Sequence, residues 1–229
     1  HSAQPAPQSL YLWQPEAWTS FVRRLSLVEG GMLGVIAALT IYLTALAVLT
    51  RAPAARATAG LLGAGFFVQL ASFGYIGSIA GTPPRWDGVF LTIALAIFAA
   101  TVFALERFFL DLERHFGWQS KVARLLSLGV FIIIPVAMFW PPLGGLLVRL
   151  ALLLALLGGA PLVVLAALRG VRPAQLLIPG AGLFGVAGLA AALHAMGWMP
   201  GTFVGTAFTI GVFTIALVLF AFAAAYHAQ

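Results

Sequence analysis

Nearly every charge in this chain is confined to short gaps between long apolar stretches, and that arrangement limits the fold more than any motif does. Crossing about 30 Å of hydrocarbon takes about 20 apolar residues in a helix. Within that layer only helices and closed barrels satisfy their own backbone hydrogen bonds. The stretches here are continuous rather than alternating in polarity, which selects helices. Seven can be laid out: about 28–50, ended by RAPAAR; 57–80, ended by GTPPRWD; 88–110, running into ERFFLDLERHFGW; 124–140, stopped by WPPLGG; 146–168, followed by RGVRP; 174–196, followed by GWMPGT; and 203–226. The expected fold is an all-α integral membrane protein, a seven-transmembrane-helix bundle over 28–227 preceded by an extracytoplasmic segment, 1–27.

Composition agrees with that class. Hydrophobic residues make up 62% and charged residues 8%, against roughly half and a quarter in soluble domains. Twelve Lys and Arg stand against six Asp and Glu. Such a balance can signal nucleic acid, but these cations sit in the gaps between apolar runs, so nucleic acid is excluded. Their natural partners are anionic headgroups, and they report topology. With the N-terminus outside, Arg51, Arg56, Arg107, Arg114, Lys121, Arg124, Arg169 and Arg172 fall inside, and Arg23, Arg24, Arg85 and Arg149 outside. This split favours N-outside, C-cytoplasmic, in a bacterial inner membrane. Trp86, Trp140 and Trp198 then fall at outer helix ends and Trp118 at the inner surface. There is no cysteine, hence no disulfide and no thiolate metal site. HSAQPAPQ reads as a mature or trimmed end rather than a signal peptide. The sequence stops just after an apolar run, so any cytoplasmic domain is expected to lie outside it.

Within PGAGLFGVAGLAAALHAMGW (179–198), Gly180, Gly182 and Gly185 mimic a dinucleotide-binding fingerprint. That fingerprint requires a preceding strand and an acidic residue about 20 positions on. Here the glycines lie inside an apolar run, and Thr202 occupies the acidic position. Gly180, Gly185 and Gly188, with Ala181 and Ala187, instead predict close helix packing in lipid. Gly30 with Gly34, Gly77 with Gly81, and Gly201 with Gly205 predict further tight contacts, within the bundle or between protomers.

Several chemistries fail for want of residues. A retinal Schiff base needs an intramembrane lysine, and the only lysine, Lys121, lies in a loop. Ion pumping needs acids at mid-depth, yet Glu16, Glu29, Asp87, Glu106, Asp111 and Glu113 all map to helix ends or loops. His115, His194 and His227 do not pair for haem, and no cofactor is expected. What remains is an outer polar group of Glu29, Arg149, His194, Arg85 and Asp87, with Gln69 and Tyr75 in helix two facing the same cavity. Two outcomes are open for Arg149. By default it snorkels to headgroups while His194 faces water; in the functional alternative it pairs with Glu29 in a ligand-binding vestibule. Gln69 and Tyr75 are equally consistent with plain interhelical hydrogen bonds.

On the inner side, ERFFLDLERHFGW places Leu105, Phe109, Leu112 and Phe116 on one helical face, with Arg107 and Asp111 spaced to pair on another. The default is an amphipathic turn resting in the headgroups. The functional alternative is a signal-output surface comprising Arg107, Asp111, Arg114 and Phe116.

Four stretches carry a family likeness: LYLW followed by Glu29 and GGMLG; FALERFFLDLERHF leaving helix three; LRGVRPAQLLIPGAGLFGVAGLAAALHAMGWMPGTF; and IGVFTIALVLFAFA. Together they resemble the bacterial seven-transmembrane receptors with diverse intracellular signalling modules. The resemblance implies a sensory unit, with an extracytoplasmic jelly-roll sensor before helix one and a cyclase, phosphodiesterase, kinase or phosphatase module after helix seven. Phe213 departs from the family pattern, which has an acid in helix seven. The expected partners are the bilayer, a lipid or small-molecule ligand, and a second copy or other membrane subunit. The alternatives are a non-catalytic assembly subunit of a larger complex and a small transporter. No catalytic constellation is expected in this chain.

Overall fold

The computed structural model describes residues 15–83, 86–110, 117–195 and 203–227. Among them no strand occurs, and helices follow one another in the order α1 (Pro15–Thr50), α2 (Pro53–Ser72), α3 (Tyr75–Ala80), α4 (Asp87–Phe109), α5 (Gly117–Gly129), α6 (Ile133–Phe139), α7 (Pro141–Leu168), α8 (Arg172–Ala195) and α9 (Phe203–His227). A 3-10 turn, Val130–Ile132, joins α5 to α6. Among the described residues five segments are long and apolar enough to cross a bilayer: Ser26–Thr50, Pro53–Ser72, Asp87–Phe108, Gly117–Phe139 and Pro141–Leu168. Shorter apolar stretches, Ala174–Ala190 and Gly211–Tyr226, lie within α8 and α9. The chain is a multi-pass membrane protein.

Several boundaries differ from the expected ones for local reasons. Helix α1 begins well before residue 28, because no Gly or Pro interrupts 16–29. Helix α5 starts at Gly117 rather than 124, so that Trp118 and Trp140 bracket one crossing. Helix α7 starts at Pro141, whose fixed φ and missing N–H suit a first helical turn. The single helix expected over 57–80 is broken. Gly74 adopts φ +72°, in the left-handed region, and closes α2 by donating its N–H to Ala71 O (3.1 Å) before α3 restarts at Tyr75. Gly81, at φ +64°, ends α3 in turn, with Thr82 N–H bonded to Gly77 O. Interruption by glycine is thus not confined to the loops.

The centre of the bundle is α2 and α4, packed on each other. Helices α1 and α9 lie against α2, while α5, α6 and α7 lie against α4; α8 closes the arrangement between α7 and α9. Phe98 of α4, within the buried core, meets two partly buried rings, Phe184 of α8 and Phe213 of α9, with centroids 5.3–6.2 Å apart. Phe213 thus packs against the core at the place where the family likeness suggested an acid. Small residues allow close approach elsewhere. A Cβ on Gly144 would lie 2.6 Å from the Cα of Ala137, so only glycine permits the α6–α7 corner. A Cβ on Gly180 would sit 3.2 Å from the Phe220 ring, whereas Gly185 and Gly188 receive Leu156 of α7. Gly180 thus packs on α9, and Gly185 with Gly188 on α7, the close approach that helix association in lipid favours. Gly182, the remaining member of the false fingerprint, has nothing near it.

Polar side chains within the apolar helices are satisfied locally. The hydroxyls of Thr40, Thr44, Thr58, Ser72 and Thr92 each donate to the carbonyl four residues back, at 2.7–2.9 Å. Back-bonding of this kind lets hydroxyls sit in hydrocarbon without a partner on another helix.

Candidate functional site

The break at Gly74 organises the end of the bundle that carries Glu29. By turning the chain there, it sets Tyr75 on α3 beside α1, where the Tyr75 hydroxyl donates to Glu29 Oε2 at 3.4 Å. Asp87, in the first turn of α4, lies with its carboxylate over α3, against the bare Cα of Gly77 and near Gly74. A negative side chain is favourable at a helix N-terminus. Any side chain on Gly77 would displace Asp87. Three elements thus meet in an acidic mouth of Glu29, Tyr75 and Asp87. Tyr75 lies beyond the apolar span ending at Ser72, and its hydroxyl pKa is raised above the usual value, by burial first and then by the charge and hydrogen bond of Glu29. It therefore stays a neutral donor at physiological pH.

Below the mouth, Gln69 links α2 to α9: its Nε2 donates to Thr214 Oγ1 at 2.9 Å. Gln69 is 2% exposed, and its Oε1 is buried without a hydrogen-bond partner. An orphaned amide oxygen in hydrocarbon is costly, so this is a polar anchor between two helices with one acceptor left over.

The structure thus pairs Glu29 with Tyr75 between α1 and α3, and Gln69 with Thr214 between α2 and α9. Arg149 lies elsewhere, exposed on α7, which packs on α4, α6 and α8 rather than beside α1. Among the described residues no ion pair joins it to Glu29, whose hydrogen-bond partner is the Tyr75 hydroxyl. The backbone of His194 is in the last turn of α8; its side chain lies outside the described residues, as do Arg85 and Trp198. On the opposite, basic end, the Arg107 guanidinium stands 5.1 Å over the Phe108 ring, beside a cavity of about 190 Å³ between α4 and α5 that Arg124 and Ser127 also line. Asp111, Arg114 and Phe116 lie outside the described residues. Among the described residues no three His, Asp or Glu side chains come together as a metal site.

Glu106 stands in the last turn of α4, at a helix end as expected, but it is buried there, its carboxyl lying against Gly159 of α7. The signal was present in the spacing: Val102, Glu106 and Leu110 recur at four-residue intervals on one buried face of α4, so the acid interrupts an apolar stripe. The second glycine of Gly158–Gly159 provides the space. At 1.5 Å per residue, Gly159 lies about 14 Å short of the end of α7 at Leu168. Glu106 is thus inside the packed bundle.

No curated protein and no solved structure matches the chain. One family model does match, over residues 25–227, which take in every crossing and the Glu29, Gln69, Tyr75 and Glu106 positions. The chain belongs to that family, described as 7TM diverse intracellular signalling, and is a membrane receptor domain of signal transduction.

Proposed function

We propose that this chain is the sensing and relay unit of a bacterial inner-membrane receptor, N-terminus outside, that takes a signal at the Glu29 end and passes it to a cytoplasmic output module at the basic end. The observation that carries this reading is the break at Gly74, which puts a turn at the level where Glu29, Tyr75 and Asp87 meet. A signal can bias only an element that has two arrangements, and the glycine joint between the 20-residue α2 and the six-residue α3 is the element assigned that part. Helix α4 carries Asp87 at one end and Arg107 at the other, about 30 Å apart at 1.5 Å per residue. It is a rigid connection from the mouth to the surface proposed for output, Arg107, Asp111, Arg114 and Phe116. A small-molecule or lipid ligand would meet Glu29 and Tyr75 first, with Gln69 further along α2 and with Arg149 and His194, on α7 and α8, outside that first contact.

The test is output from the native full-length receptor carrying Tyr75→Phe, Glu29→Gln or Gly74→Ala. The reading expects each to shift the basal or stimulated output while Arg149→Gln changes it less. Unchanged output from all three, in protein that reaches the membrane at normal levels, overturns it.

A second reading, an assembly subunit of a larger membrane complex, has one observation in its favour. Gly30, Gly31 and Gly34 lie on an exposed face of α1 with no neighbour within 4 Å of where their Cβ atoms would be. The coding sequence beyond Gln229 separates the two: a signalling domain in frame supports the receptor, and a stop codon supports the subunit.

A further inference from the structure

The corner between α1 and α2, at the basic end, has an unusual backbone. Among the described residues Arg51 is the only non-glycine with positive φ, at +54°. A left-handed arginine is strained relative to glycine, and such strain persists only where the surroundings fix it. Two bonds fix it here: Arg51 N–H donates to Ala47 O (3.1 Å), and Arg51 O accepts from Arg56 Nη2 (2.9 Å). The second bond also holds the Arg56 guanidinium beside Arg51 while using one of its five donors.

Beneath these cations is a cavity of about 560 Å³ between α1 and α2, walled by Ala47, Val48, Ala59 and Gly60 and reaching as far as Thr44. From Arg51 to Thr44 is about 10 Å along α1. No acid lines the cavity, and the Thr44 hydroxyl proton is already given to Thr40 O at 2.7 Å. The site is therefore cationic at its mouth and apolar along its wall, within a helix pair that crosses the bilayer. A small polar solute finds nothing to bind beyond the mouth. An anionic phospholipid matches both parts.

We propose that the α1–α2 cleft is a binding site for an anionic phospholipid, its phosphate held by Arg51 and Arg56 and the start of an acyl chain lying along Ala47, Val48 and Gly60. The site does not depend on the receptor reading or on which way the chain is inserted.

The experiment is a titration of the purified protein in detergent with dioleoylphosphatidylglycerol or dioleoylphosphatidylcholine, counting retained lipids by native mass spectrometry. Arg51→Gly suits the test because glycine accepts the observed φ, so the cation is lost while the corner is kept. The wild type retains phosphatidylglycerol in preference to phosphatidylcholine, and Arg51→Gly with Arg56→Gln lowers that preference by roughly thirtyfold for two cations. Lys121→Gln with Arg124→Gln, which removes the same charge from the same end, leaves the preference intact. Equal loss in both double variants means diffuse attraction and overturns the proposal. So does displacement of the lipid by millimolar inorganic phosphate, which means a headgroup anion without its chain. A melting temperature of the Arg51→Gly variant at or above that of the wild type confirms that binding, rather than folding, was removed.

Discussion

The carboxyl of Glu106 lies against the bare backbone of Gly159, so α4 and α7 meet there through an acid and a glycine. A Cβ at Gly159 would overlap the carboxyl, whereas the adjoining Gly158 has open space around it. Gly159→Ala is therefore expected to destabilise the bundle by about 1–3 kcal/mol, the range for overpacking a fitted contact. Gly158→Ala is the matched control and should be close to neutral. Combining Gly159→Ala with Glu106→Ala should recover part of the loss, since the second change removes the group that is struck. Thermal melting of the purified protein in detergent reads all three variants; equal melting of the two glycine variants would show that the contact is not fitted.

The link between Gln69 and Thr214 makes a different prediction, because one end of the amide is already unsatisfied. Thr214→Val removes the partner of Nε2 and leaves the whole amide buried alone, at a cost of about 1–2 kcal/mol. Gln69→Leu together with Thr214→Val removes both polar groups, and the double variant is expected to be more stable than Thr214→Val. If the double variant melts lower than the single, the amide has a further role in holding α2 to α9.

How much of this was legible in the sequence depends on the distance over which each feature is decided. The apolar runs, the loops and the packing role of Gly180, Gly185 and Gly188 follow from local hydrophobicity and small-residue spacing, and the helices of the structure fall on those runs. Glu29 and Tyr75 were legible as members of one polar group, but not as partners, because their meeting depends on the Gly74 break. That break was hidden: one glycine within an apolar stretch reads equally well as packing, and its positive φ is a property of the folded chain. Glu106 was hidden for the opposite reason. A charge near the end of an apolar run looks like a boundary, and only the length of α7 beside it places the acid within the bundle.

The false fingerprint gives a sharp contrast among neighbours. Gly180→Ala presses a methyl onto the Phe220 ring, which must shift by a few tenths of an ångström; stability, read as melting temperature, is expected to fall by about 1 kcal/mol. Gly182→Ala meets nothing within 4 Å and, with alanine the better helix former, should be neutral or slightly stabilising. A nucleotide site would show the reverse sensitivity to added dinucleotide, so the absence of any ligand-induced change in melting for either variant is expected as well.

Tyr75 and Glu29 carry a pH signature. The Tyr75 pKa is raised in the fold, by burial first and then by Glu29, so folding favours the protonated phenol. The sign follows from linkage: the contribution is fully present below the unfolded value near 10 and is lost as pH rises through the higher folded value. Tyrosinate absorbance of the wild type, less that of Tyr75→Phe, should give one residue titrating later than a free tyrosine. Glu29→Gln removes the charge but keeps an acceptor, and it should move that titration back toward, though not to, the ordinary value because burial remains. A Tyr75 titration unmoved by Glu29→Gln would mean that the two groups do not meet, and the acidic mouth would then lose the contact that joins α1 to α3.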